Sequence, residues 1–263
     1  MVMVGPGLAP MVGGAVSSVA GWRAIFVLLA AAGAATLWFT WRLLPETSHP
    51  TGQFGTRVLL RDYRQLLTSR TFTGFALGGG CATTSVYAFL SAAPFIFINE
   101  LHQPVHMVGI YAGLMVLGMA VGNALTSRLA QSVPTARLIR IGNALSLASA
   151  LVLLAVVLTH HLAVLNTIGI MLFFTCGCGM TSPAALAKAV SVNPRLVGSA
   201  SGLYGCTQMA VGAACTSLAA IGTDPALSAV SVMVGACVLA QLSFTLALRS
   251  ERAAAQAQVA SAS

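Results

Sequence analysis

Runs of some twenty residues with almost no charge recur along this 263-residue chain, and they limit what it can fold into more than any other feature. About twenty apolar residues carry a helix across the hydrocarbon of a bilayer. Only 7% of the residues are charged and 57% are hydrophobic, whereas roughly a quarter of a soluble domain is charged. Such a chain is read as an integral membrane protein. Its 26 glycines and mean hydropathy of +0.88 suit helices that approach closely in lipid. An outer-membrane barrel would need alternating segments of about ten residues, which these runs lack. The expected fold class is therefore all-α.

Setting the runs against their polar breaks places spans near 1–20, 23–44, 73–96, 107–129, 137–158, 162–187, 197–221 and 226–248. Eight spans return both ends to one side. Loops 45–72, 130–136 and 188–196, the tail from 249 and the adjoining helix ends hold twelve of the thirteen Lys and Arg residues; the opposite side holds only Arg23. By the positive-inside rule the basic side is cytoplasmic. The net charge of +8 thus marks orientation, and no nucleic-acid partner is implied. A secretory signal peptide is not expected, because no basic residue precedes Arg23 and Pro6 and Pro10 interrupt the first run.

The break at 45–72 becomes amphipathic, with Leu59, Tyr63, Leu66 and Leu67 at helical spacing and Arg57, Arg61 and Arg64 elsewhere on the surface. Two readings fit: a helix lying on the membrane with its arginines at anionic headgroups, or a solvated linker helix. The break leaves two spans before it and six after it, a lopsided division for a bundle that closes on itself. Nearly all six cysteines fall inside apolar runs, where they behave as small apolar residues. Cys176 and Cys178 sit about 200° apart around a helix and so cannot share a metal. No metal or other cofactor is expected. A Gly-x-x-x-x-Gly-Lys loop is missing, so no nucleotide partner is implied. No Ser/His/Asp or metal grouping is brought together by helical spacing, so no enzymatic activity is expected either. The pairs Gly109/Gly113, Gly118/Gly122 and Gly198/Gly202 are read as packing faces.

Several motifs carry a family resemblance. Gly5, then Ala9-Pro10-Met11-Val12-Gly13-Gly14, makes a kinkable helix face with little side-chain bulk. It resembles the antiporter signature in the fifth helix of drug-exporting major facilitator proteins, with Ala9 where Gly is more usual. Gly21-Trp22-Arg23, Leu44-Pro45-Glu46-Thr47, Ser91-Ala92-Ala93-Pro94-Phe95 and Gly198-Ser199-Ala200-Ser201-Gly202 continue the likeness. Together they resemble the bicyclomycin and chloramphenicol resistance branch, Bcr/CflA, over nearly all of residues 1–250. Gly122 to Arg128 take the place of that family's cytoplasmic gating motif; Ser127 stands where Asp is common, which argues against a charge lock.

The resemblance implies a major facilitator fold, with this chain matching helices five to twelve of a twelve-helix transporter. Residues 1–44 would be the last two helices of the N-terminal bundle, 45–72 the central cytoplasmic loop, 73–250 the six-helix C-terminal bundle and 251–263 a cytoplasmic tail. The implied activity is proton-coupled efflux of small lipophilic drugs across a bacterial inner membrane, exerted by the intact parent, with bilayer lipid, drugs and protons as partners. The alternative is a truncated membrane fragment without transport of its own. All five acids, Glu46, Asp62, Glu100, Asp224 and Glu251, lie at span ends, in loops or in the tail, whereas relatives carry their coupling carboxylate in the early helices. Glu100 or Asp224 near the outer mouth remains the other candidate.

Substrate would bind between bundles near the bilayer midplane. Thr84, Tyr87, Ser91 and Phe95 share one stripe of the third span; Asn166, Phe173 and Met180 share one of the sixth; Tyr204 and Gln208 lie a turn apart in the seventh. By family analogy the third and sixth spans face the cavity and the seventh flanks it. Aromatic and Met side chains would adapt to a lipophilic drug while amides and hydroxyls orient it. The same groups could instead tie neighbouring helices together.

Overall fold

The computed structural model describes residues 12–43, apart from Gly14, Ala15, Ser17 and Ser18, and residues 56–262. In chain order it has α1 (Trp22–Leu43), α2 (Thr56–Thr68), α3 (Arg70–Thr84), α4 (Val86–Pro94), a π-helical turn (Phe95–Glu100), α5 (Val105–Leu129), α6 (Thr135–Leu158), α7 (Val164–Ser191), α8 (Val197–Ala219) and α9 (Pro225–Ala262). No strand occurs among the described residues, and six helical segments are long and apolar enough to cross a membrane. The expected all-helical membrane fold is borne out. α8 is long enough to be a seventh, but its Gly, Ser, Thr and Gln residues dilute its apolar character. Most of the first expected span lies outside the described residues, and with it Gly5, Ala9, Pro10 and Gly14 of the antiporter-like motif. Gly13 is described and has open space around it.

The helices from α3 to α9 pack into one bundle, whereas α1 buries none of its residues. Gly21, at φ +77°, supplies the left-handed turn that admits the chain to α1. Small residues set the closest approaches within the bundle. Gly74 and Gly78 on α3 face Ala247 and Phe244 of α9, and a Cβ at Gly78 would come within 2.8 Å of the Phe244 ring. Gly118 and Gly122 on α5 lie against the Leu172 and Cys176 carbonyls of α7, as their four-residue spacing leads one to expect. The pair Gly198/Gly202 departs from that expectation: neither residue has an atom within 4 Å of its Cβ position. Gly109 is likewise open.

Polar side chains bridge the helices. Thr175 donates to the Met115 carbonyl at 2.6 Å, Ser146 to the Phe174 carbonyl at 3.0 Å, and the Asn143 amide to Gln241 Oε1 at 2.8 Å. In hydrocarbon these bonds satisfy groups that water cannot reach.

The expected single span 73–96 is broken in two places. Gly78-Gly79-Gly80 weakens the helix, and Thr83 and Thr84 donate to the carbonyls of Gly79 and Gly80. Such back-bonding bends helices, and α3 gives way to α4 at Ser85. Pro94 has no N–H and its ring crowds the preceding turn, so the ladder widens beyond it and Leu101 N–H reaches the Ile96 carbonyl. At the other end of the chain, Asp224 caps the Leu227 N–H and Pro225 opens α9. α9 has 38 residues, about 57 Å at the α-helical rise, well beyond the roughly 30 Å of hydrocarbon. The stretch expected to be a tail is therefore a helical extension, tied to α7 by a Lys188–Glu251 ion pair at 2.5 Å.

Candidate functional site

A cavity of about 1180 Å³ opens between α3/α4, α5, α7 and α8. Its walls are mostly apolar, and among the described residues no Asp, Glu, Lys, Arg or His lines it. From the broken helix come Thr83, Thr84, Tyr87 and Leu90; the break at Ser85 turns both threonines and the tyrosine toward one space. α5 contributes Met115, Met119, Asn123 and Thr126, a row at spacing three and four. α7 adds Thr175, Ser182 and Pro183, while Ser201, Tyr204, Gly205 and Gln208 line the wall from α8.

Of the substrate-binding residues expected from the sequence, the cavity brings together Thr84, Tyr87, Tyr204 and Gln208. Ser91, Phe95, Asn166, Phe173 and Met180 do not line it. The α4 stripe runs past the end of the cavity: Thr84 to Phe95 covers about 16 Å of helix, and Pro94 changes the register before Phe95. Ser91 donates to the Ala88 carbonyl in its own helix. On α7 the cavity row runs through Thr175 and Ser182, whereas Phe173 lies about 200° from Thr175 and is 62% exposed on the outer surface. Asn166 is also exposed. Met180 is buried between helices, and its carbonyl accepts from Thr126 at 3.2 Å.

Met115, Met119, Asn123 and Thr126 are not among the expected site residues, although they recur at spacing three and four along the fourth expected span.

Two polar arrangements stand out on the wall. Gln208 Nε2 donates to Thr83 Oγ1 at 2.6 Å. Tyr204 is 2% exposed, and its hydroxyl has no hydrogen-bond partner among the described residues. That hydroxyl occupies the space a Cβ at Gly79 would need, so the glycine admits the ring. A buried hydroxyl left unpaired is costly.

At the end of α5, Gly122 is packed against α7. Ser127 borders the cavity and donates to the Ala124 carbonyl, and Arg128 is exposed. Among the described residues Arg128 forms no salt bridge that could serve as a charge lock. Among the described residues no group of three or more His, Cys, Asp or Glu is placed to hold a metal.

Residues 1–217 match the family model described as the Major Facilitator Superfamily. The chain belongs to the Major Facilitator Superfamily. Among its superfamily relatives, a bicyclomycin resistance protein homologue of Haemophilus influenzae is 25% identical over 90% of this chain and 60% of its own length. The multidrug transporter MdfA of Yersinia pestis is 31% identical over 54% of this chain and 35% of its own. An uncharacterised major facilitator transporter of Bacillus subtilis, YdgK, is 28% identical over 92% and 61%. The chain thus spans less than two thirds of these relatives' length. The fold matches the crystal structure of a bacterial homologue of the human lysosomal transporter Spinster, inward-facing and unoccupied, with a TM-score of 0.54 at 17% identity over 95% of this chain and 68% of that one. The resemblance read from the motifs is borne out: this is a multi-pass membrane protein of a transporter family, related to drug exporters.

Proposed function

We propose that this segment forms the drug-binding wall of a proton-coupled exporter of small lipophilic compounds in a bacterial inner membrane. The observation that carries the reading is the uncharged, mostly apolar cavity, in which methionines and aromatics surround a few hydroxyl and amide groups. A greasy molecule would gain from leaving water for such a surface, while Gln208 and Thr84 would orient it. Relatives described as multidrug transporters support this reading. The division into the end of one bundle, a central loop helix and a six-helix bundle is part of the same proposal.

Coupling requires a group that exchanges protons along the path, and no carboxylate among the described residues lines the cavity wall. Export is therefore assigned to a protein of the relatives' full length, and binding alone to the 263-residue chain. The second reading, a membrane segment without transport of its own, draws on α1, whose Trp38, Phe39 and Trp41 are all exposed.

The test is reconstitution of the chain in vesicles with an imposed proton gradient and a neutral lipophilic dye. Saturable dye binding without gradient-driven movement is expected. Gradient-driven movement abolished by a protonophore would overturn the assignment of coupling; no saturable binding would overturn the cavity's role.

A further inference from the structure

We infer that a cleft between α2 and the loop before α8 is a binding site for the phosphodiester headgroup of an anionic phospholipid. Arg61, Asp62 and Gln65 of α2 and Asn193 and Arg195 of the loop line a separate polar cleft of about 540 Å³. α2 packs on both α3 and α8. It ends two residues before α3 begins, and the loop leads directly into α8, so the cleft lies at the membrane surface where both spans start. Asn193 Oδ1 accepts from the Arg195 backbone N–H at 3.1 Å, which folds the loop so that both side chains belong to the cleft. Neither arginine forms an ion pair with Asp62, since the Lys188–Glu251 pair is the only salt bridge among the described residues. Two guanidinium groups from separate elements thus share one cleft with a single carboxylate, Asp62, which pairs with neither of them among the described residues, leaving a net positive charge, and Gln65 and Asn193 are additional donors. Both cations attract the negative charge of a phosphodiester.

The choice of a lipid over a soluble phosphate rests on the neighbouring surface. Leu66 of α2 is buried against the bundle, while Val58 and Leu196 give the cleft an apolar wall. An acyl chain would cover Val58 and Leu196 while the headgroup meets the arginines, so that the lipid clasps α2 to the bundle.

The test uses the purified 263-residue chain in phosphatidylcholine nanodiscs with or without phosphatidylglycerol, with retained lipid counted by native mass spectrometry. Selective retention of phosphatidylglycerol is expected, falling about fivefold in either R61Q or R195Q, as the loss of one surface arginine predicts. V58N should weaken it, and R252Q should leave it unchanged. The R61K/R195K chain keeps the charges and covers the case in which a glutamine variant fails to insert; it should retain most of the selectivity. Unchanged retention in R61Q and R195Q, or loss of retention in R61K/R195K while that chain remains folded, would overturn the proposal. So would displacement of the lipid by equimolar glycerol 3-phosphate, which would mark a site for soluble phosphate esters.

Discussion

Gln208 of α8 donates to Thr83 of α3 across 2.6 Å, and Thr83 in turn donates to the Gly79 carbonyl at 2.6 Å. The side-chain amide is thereby fixed against the broken helix at the cavity wall. Interhelical bonds of this kind contribute about 0.6 kcal/mol in membrane proteins. A double-mutant cycle of Thr83→Val and Gln208→Leu, followed by unfolding in mild detergent, should return a coupling of about that size. Strict additivity would show that the two side chains do not act together.

The glycine faces differ in consequence. Gly122→Ala drives a methyl into the α7 backbone and should destabilise by about 1–3 kcal/mol, as overpacking does. Gly202→Ala meets open space and should be neutral or slightly stabilising through helix propensity. Equal unfolding temperatures for the two variants would contradict the helix packing described.

Tyr87 and Phe173 separate the cavity from the outer surface. In an exporter of the relatives' full length carrying this segment, Tyr87→Ala should change which compounds are exported, and Phe173→Ala should leave the profile unchanged at equal abundance. A changed profile for Phe173→Ala alone would return the binding surface to the stripe suggested by sequence.

Much of the helical frame is legible in the residues. Apolar run length fixes where helices cross, and Pro104, Pro134 and Pro225 stand at the starts of α5, α6 and α9. Periodicity also places α2, although it does not show that Leu66 faces the bundle while Leu60 is left exposed. What a stripe cannot convey is which face of a membrane helix meets protein, because lipid-facing and protein-facing residues are equally apolar. Phe173 shows this: its stripe with Asn166 and Met180 has the mixed polar and apolar character expected of a site, and it lies outside the cavity. Helix breaks hide for a related reason: Thr83 and Thr84 read as ordinary polar residues until their bonds to Gly79 and Gly80 reveal the bend. The glycine pair 198/202 has the same spacing as 118/122, and only tertiary structure tells the open pair from the packed one.

Sidedness follows from the arginines. In a background free of native cysteines, single cysteines at Gln65, Ala136 and Asn193 should be labelled only from the cytoplasm, and those at Gln103 and Thr223 only from outside. Labelling of Gln103 and Ala136 from one side would contradict the topology.

The central claim is that the uncharged cavity holds the drug, and Gly205 gives the most direct access to it. Gly205 lines the cavity and has no atom within 4 Å of its Cβ position, so a Phe side chain there can enter the space without displacing the bundle. The measurement is equilibrium binding of a neutral lipophilic dye to the purified chain and to Gly205→Phe, with unfolding temperature recorded for both. The account predicts an affinity loss of about tenfold or more, roughly 1.4 kcal/mol, at an unchanged unfolding temperature. Wild-type affinity in a well-folded Gly205→Phe chain would contradict it.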